Sequence, residues 1–190
     1  MSLENRLILV KHSLPEMMKN IPAREWGLSN EGWDRAKRLA EKLAHYYPEI
    51  IVSSVEPKAH QTAEILGECL GLKSHIVRDL HEHDRSQSPF YSNDEFESLV
   101  QKFFQEPDML VFGEETANQA FLRFQDAVDK VLDSNSGKTT LIVAHGTVIS
   151  LFVSQMTGIE GYKLWKELGL PSFIVIDLET KKHLEIVNLS

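Results

Sequence analysis

Two histidines far apart in the chain share one local context. His12 follows the apolar run "LILV" (7–10) and Lys11, and precedes Ser13; His145 follows "LIVA" (141–144) and precedes Gly146 and Thr147. Runs of this kind suit strands buried on both faces of a sheet. In an open α/β sheet the ligand crevice lies beyond the carboxyl ends of the parallel strands. One histidine at a strand end is commonplace; two, on strands that are parallel neighbours, face one crevice. A third run, "IIVSS" (50–54), delivers Ser53, Ser54 and, after a turn, Lys58. Together the strand ends collect two imidazoles, two ammonium groups and several hydroxyls. Cations concentrated in a pocket bind an anion even in an acidic protein, and a neutral imidazole nitrogen is a competent nucleophile.

The elements that must hold these groups follow from period and punctuation. Strands are expected at 6–10, 49–54, 74–79 and 138–145, and helices at 29–47, 57–71, 93–106, 114–134 and 146–158. In the first helix Ala36, Leu39, Ala40, Leu43 and Ala44 recur at helical spacing behind a Ser29 or Asn30 cap. The second opens with Pro57 and closes with Gly71, the usual asymmetry of helix ends. Phe121, Leu122, Phe124 and Val128 read as the core face of the helix at 114–134. "SFIVIDL" (172–178) and "HLEIVNL" (183–189), joined by "ETKK", read as a hairpin. Strands alternating with helices predict an α/β protein. The expected form is a three-layer α/β/α sandwich around a mostly parallel sheet, made mixed by the closing hairpin. Residues 1–190 are expected to form one domain, with a short lid or insertion at about 83–112.

A formal net charge of −8 and the absence of any long Lys/Arg run argue against nucleic acid as a partner. No apolar stretch approaches the roughly 20 residues of a membrane span, and the N-terminus lacks a signal-peptide pattern. The single cysteine, Cys69, cannot form an internal disulfide, so a cytoplasmic location is expected, with the thiol packed in the core. "HEHD" (81–84) invites a metal reading, but adjacent residues of an extended segment point to opposite sides, so no metal site is expected there. No glycine-rich nucleotide loop is present, and no cofactor is implied.

Five short motifs, in order, then suggest a family. "LVKHS" (9–13) stands where the histidine phosphatase superfamily usually carries Arg-His-Gly at a strand end. "LSNEG" (28–32) follows as a helix start, then "SSVEPKAHQTAEIL" (53–66), "LHE" (80–82) and "VAHG" (143–146). Each is weak alone; the ordered set, spanning most of the chain, resembles the histidine phosphatases with their phosphoglycerate-mutase-like fold. The resemblance implies His12 as a nucleophile forming a phosphohistidine, and His145, Lys11 and Lys58 as donors to the equatorial phosphoryl oxygens. It implies Glu82 as the acid that protonates the leaving alkoxide and then the base that activates water. Ser13 and the N–H groups of Gly146 and Thr147 could add phosphate donors. Arg24 and His83 are candidates for the far end of the substrate, and Phe90 and Tyr91 lie near enough in sequence to line the crevice.

The implied activity is hydrolysis of small phosphomonoesters without a metal. The alternatives are a phospho-ligand-binding protein with little or no catalysis and, less favoured because the insertion is short, a mutase. Lysines at positions 11 and 58, where the family mostly has arginines, keep the charge but lose the two-pronged guanidinium fork. No residue pattern specifies the oligomeric state.

Overall fold

The computed structural model describes residues 6–18, 20–89 and 91–189. Six strands form one mixed sheet: β1 (Arg6–Lys11), β2 (Ile50–Ser53), β3 (Ser74–Ile76), β4 (Thr140–Ala144), β5 (Ser172–Asp177) and β6 (Lys182–Asn188). Their spatial order is β3-β2-β4-β1-β5-β6. The first four run parallel, whereas β5 pairs antiparallel with β1 and β6 antiparallel with β5. The expected hairpin is therefore present, with a register shift between Val175 and Ile176.

Every strand residue from Leu7 to Val10 is fully buried because the sheet is covered on both faces. On one face Leu7, Leu9, Ile142 and Ile174 pack under α3 (Asn93–Gln105), α4 (Ala117–Ser134), α5 (Gly146–Thr157) and α6 (Gly161–Glu167). On the other, Ile8, Val10, Leu141 and Val143 pack under α1 (Asn30–Leu43) and α2 (Pro57–Leu70). The alternation within each strand thus divides its apolar side chains between two cores.

The helix ends carry the expected chemistry. Ser29 caps α1 by accepting the Gly32 N–H, and α2 ends at Gly71 in the left-handed region (φ 71°). Both α3 and α4 start with capping boxes, Ser92 with Glu95 and Thr116 with Gln119. Helix α6 and a short 3-10 turn at Ala23–Glu25 were not anticipated; α6 is only two turns long and has little periodicity to reveal it. The segment expected as a lid contains α3, which sinks Val100 and Phe103 into the core. Cys69 is exposed rather than packed. It lies roughly a quarter turn round α2 from the stripe of Ala59, Ala63 and Leu66 that meets the sheet. No helix among the described residues is long and apolar enough to cross a membrane.

Candidate active site

Strands β1 and β4 are parallel neighbours in a register that pairs Lys11 with Ala144, so the next residues, His12 and His145, emerge side by side. The His12 N–H donates to the Ala144 carbonyl at 3.0 Å, extending the ladder one step. The two imidazole rings meet edge to face, 5.2 Å between centroids. Ser54 leaves β2 beside them, its N–H on the Val143 carbonyl.

A hydrogen bond fixes the tautomer of His12. His12 Nδ1 lies 2.7 Å from the Ser13 carbonyl, which can only accept, so Nδ1 carries the proton and Nε2 keeps its lone pair. Burial pushes the His12 imidazole well below its ordinary value; the charges of His145, Lys58 and Lys11 push it further, against the Ser13 hydrogen bond. His12 is therefore neutral at pH 7. Ser54 Oγ accepts the Glu56 N–H at 3.3 Å and lies 2.8 Å from His145 Nε2. The other ring nitrogen of His145, Nδ1, is buried with no partner among the described residues. Burial, then Lys58, also lowers the His145 pKa well below its ordinary value, with Glu82 opposing.

Glu82 leaves the loop after β3. Its carboxylate accepts the Thr147 N–H at 3.1 Å and the Val148 N–H at 3.3 Å, at the positive end of α5. Burial alone raises its pKa, but His145, the His83 N–H, Arg85 and the Thr147 N–H outweigh that and hold it below the ordinary carboxylate range. In the free site Glu82 is ionised.

The other expected phosphate and substrate groups are placed less simply. Lys11 Nζ donates to the Leu168 carbonyl at 2.7 Å, and its stem crosses Gly146, where an added Cβ would lie 3.1 Å from Lys11 Cε. Lys58 is buried, donating to the Ala23 carbonyl at 2.7 Å and paired with Glu56. Ser13 does not offer its hydroxyl to a ligand: Oγ donates to the Gly32 carbonyl at 2.7 Å, and the residue is fully buried. The Thr147 N–H expected for phosphate is engaged by Glu82. His83 is not at a substrate mouth; its ring is sealed against Phe103 and Phe112, and Nε2 lies 3.2 Å from the Glu115 carbonyl. Arg24 is exposed and lies 3.8 Å from Glu25. Tyr91 packs edge-on to Phe112, while Phe90 lies outside the described residues. Among the described residues no three His, Cys, Asp or Glu side chains are placed to hold a metal ion.

Three groups escaped sequence reasoning. Glu56, buried, joins the site: one oxygen pairs with Lys58, while the other accepts the Glu82 N–H at 2.8 Å and lies 3.5 Å from His145 Nε2. Arg85 stacks its guanidinium 4.3 Å above the Phe96 ring and acts on Glu82 and Glu56 through space. Arg123 holds the backbone around Glu82. The only available signal was a charge inside "SSVEPKAHQTAEIL" for Glu56 and one shortly after "LHE" for Arg85; Arg123 gave none. The rest of "KAHQT" is structural: Gln61 accepts the Leu28 N–H, and Thr62 accepts the Ser13 N–H while donating to the Lys58 carbonyl.

A three-layer sandwich with paired histidines at the ends of two adjacent parallel strands is the phosphoglycerate-mutase-like arrangement. The chain belongs to the histidine phosphatase superfamily (branch 1), whose family model matches residues 7–188. It is 29% identical over 131 residues to the uncharacterized phosphatase PhoE of Bacillus subtilis, a match covering 69% of this chain and 65% of that protein. The chain thus spans about two thirds of that curated relative's length. Among solved structures it resembles a mycobacterial glucosyl-3-phosphoglycerate phosphatase complexed with VO3, at 20% identity and a TM-score of 0.77, covering 98% of this chain and 100% of that one. It also resembles a histidine-to-alanine mutant of Entamoeba histolytica phosphoserine phosphatase in complex with phosphoserine, at 19% identity and a TM-score of 0.73, covering 96% of each chain. At these identities the structural likeness establishes the fold.

Proposed function

We propose that this chain is a phosphatase that hydrolyses small phosphomonoesters through a phosphohistidine on His12. The observation that carries this reading is the ring pair: His12, with Nε2 unprotonated, meets the ring of His145, whose buried Nδ1 has no partner among the described residues. In the first step Nε2 attacks phosphorus, the P–N bond forms and the ester P–O bond breaks, and Glu82 gives a proton to the leaving alkoxide. In the second, Glu82 takes a proton from water, the water oxygen attacks phosphorus and the P–N bond breaks, releasing phosphate. His145 Nδ1–H donates to an equatorial oxygen throughout. A bound phosphoryl dianion raises the Glu82 pKa, so that the carboxylate, ionised in the free site, takes up the proton it must deliver. Lys11 and Lys58 turn from their present partners toward the phosphoryl oxygens. The phosphatases among its relatives support the same class of activity.

The decisive assay is release of 4-nitrophenol from 4-nitrophenyl phosphate with chelator present. The wild type turns over, His12→Ala abolishes turnover, and Glu82→Gln reduces phosphoenzyme hydrolysis. Equal rates in all three proteins would overturn the reading. A second reading, a phospho-ligand-binding protein with little catalysis, is favoured by one observation: both lysines and the Thr147 and Val148 N–H groups near the start of α5 already have partners inside the protein. Inorganic phosphate bound tightly without any His12-dependent turnover would select it.

A further inference from the structure

Glu82 sits on a segment without regular secondary structure: between Ile76, which ends β3, and Asn93, which starts α3, the described residues form neither helix nor strand. A group that must deliver and take up a proton needs to be held within a few tenths of an ångström of its working geometry. One side chain does most of the holding. Arg123, on α4, donates from Nη1 to the Asp79 carbonyl at 2.8 Å and the His81 carbonyl at 3.0 Å, and from Nη2 to the Glu82 carbonyl at 3.2 Å. Asp79 is in the left-handed region (φ 67°), so the first of these bonds grips the chain where it turns into the segment.

The same guanidinium forms a two-pronged pair with Glu115, through Nε at 3.1 Å and Nη2 at 2.6 Å. Glu115 Oε1 in turn accepts the Asp84 N–H at 2.9 Å. The pair therefore grips backbone on both sides of Glu82 and at Glu82 itself. Both partners are anchored to one rigid body, because Glu115 immediately precedes the Thr116 cap of the 18-residue helix that carries Arg123. Among the described residues no hydrogen bond joins either side chain to His12 or His145, and neither belongs to the two apolar cores.

We propose that Arg123 and Glu115 form a positioning pair that sets the geometry of Glu82 for proton transfer. The inference rests on the reading of Glu82 as the acid of the phosphorylation step. Only the planar guanidinium can reach three carbonyls and a carboxylate at once, so lysine cannot replace it.

Leaving-group dependence supplies the test. The value of kcat/KM reports the steps up to phosphohistidine formation, where 4-nitrophenolate leaves without a proton and an alkoxide needs one. Removal of a general acid costs about 100-fold or more, and its misplacement a part of that. For Arg123→Lys, Arg123→Met and Glu115→Gln, kcat/KM on propyl phosphate is expected to fall at least about tenfold further than on 4-nitrophenyl phosphate. Glu82→Gln is expected to show the same skew in larger measure. An equal loss on both esters in the three variants, with the skew intact in Glu82→Gln, would overturn the positioning role alone. An unskewed Glu82→Gln would remove the acid assignment itself. Glu115→Gln keeps an oxygen for the Asp84 N–H, so it decides the matter if the Arg123 variants do not fold.

Discussion

Glu56 places a carboxylate among the cations that the proposed phosphatase would turn toward phosphate. Its pairing with Lys58 and its hold on the Glu82 N–H make it part of the site's frame, while its charge opposes an incoming phosphoryl dianion. A lysine without a guanidinium fork needs such an orienting partner in a buried position. Glu56→Gln separates the two effects, since the amide keeps an oxygen for the Glu82 N–H and removes the charge. Competitive inhibition by inorganic phosphate is expected to strengthen by about tenfold, equivalent to roughly 1.4 kcal/mol. Weaker inhibition in the variant would show that the charge of Glu56 serves phosphate binding by fixing Lys58.

Among the elements, α1 and the loop after β1 meet at Gly32 with no room for a side chain. A Cβ there would lie 2.1 Å from the Leu14 carbonyl oxygen. That carbonyl already accepts from the Ser29 N–H and hydroxyl, each at 3.1 Å, and the Gly32 carbonyl accepts from Ser13. The glycine of "LSNEG" is thus the point where the helix locks the loop whose Ser13 carbonyl orients His12. Gly32→Ala must push backbone away from backbone, so a loss of about 2–4 kcal/mol in stability is expected, read from the urea midpoint. Turnover of 4-nitrophenyl phosphate should fall with it, because the bond to His12 Nδ1 moves. A variant within about 0.5 kcal/mol of the wild type would mean that α1 slides freely over the loop.

For the whole molecule, the buried site makes stability depend on pH in two separate windows. His12 and His145 have pKa values depressed on folding, so the unfolded chain binds their protons first. Their burial costs nothing above the ordinary imidazole value near 6.5, and stability is lost as pH falls below it, by up to about 1.4 kcal/mol per pH unit for each ring. Glu82 and Glu115 are held below the ordinary carboxylate range, the latter chiefly by Arg123 against the effect of burial. Their contribution is complete above that range and is lost as pH falls through it. Urea midpoints taken from pH 7.5 downward should begin to drop near 6.5 and steepen below about 4.5. In His12→Gln/His145→Asn the upper part of that fall should shrink to what His81 and His83, whose pKa values burial also lowers, contribute; an unchanged profile would mean that His12 and His145 carry none of it.

The layer architecture was legible along the chain, because strands such as "LILV" and "TLIVA" carry a burial signal within a few residues, and capped, periodic helices do the same over one or two dozen. The sequence also pointed to His12, Glu82 and His145, since each closes a short recognisable motif at the end of a strand or the loop beyond one. What each neighbour does emerged with the packing of the folded chain. Ser13 turned inward to Gly32, His83 was sealed among phenylalanines, Thr147 donated to Glu82, Glu56 took up Lys58 and the Glu82 N–H, and Arg123 entered the site from a segment with no motif of its own. The physical reason is reach. Backbone pattern is a local property, whereas a hydrogen bond from Arg123 to Glu82 joins residues 41 positions apart and exists only after α4 has packed against the sheet.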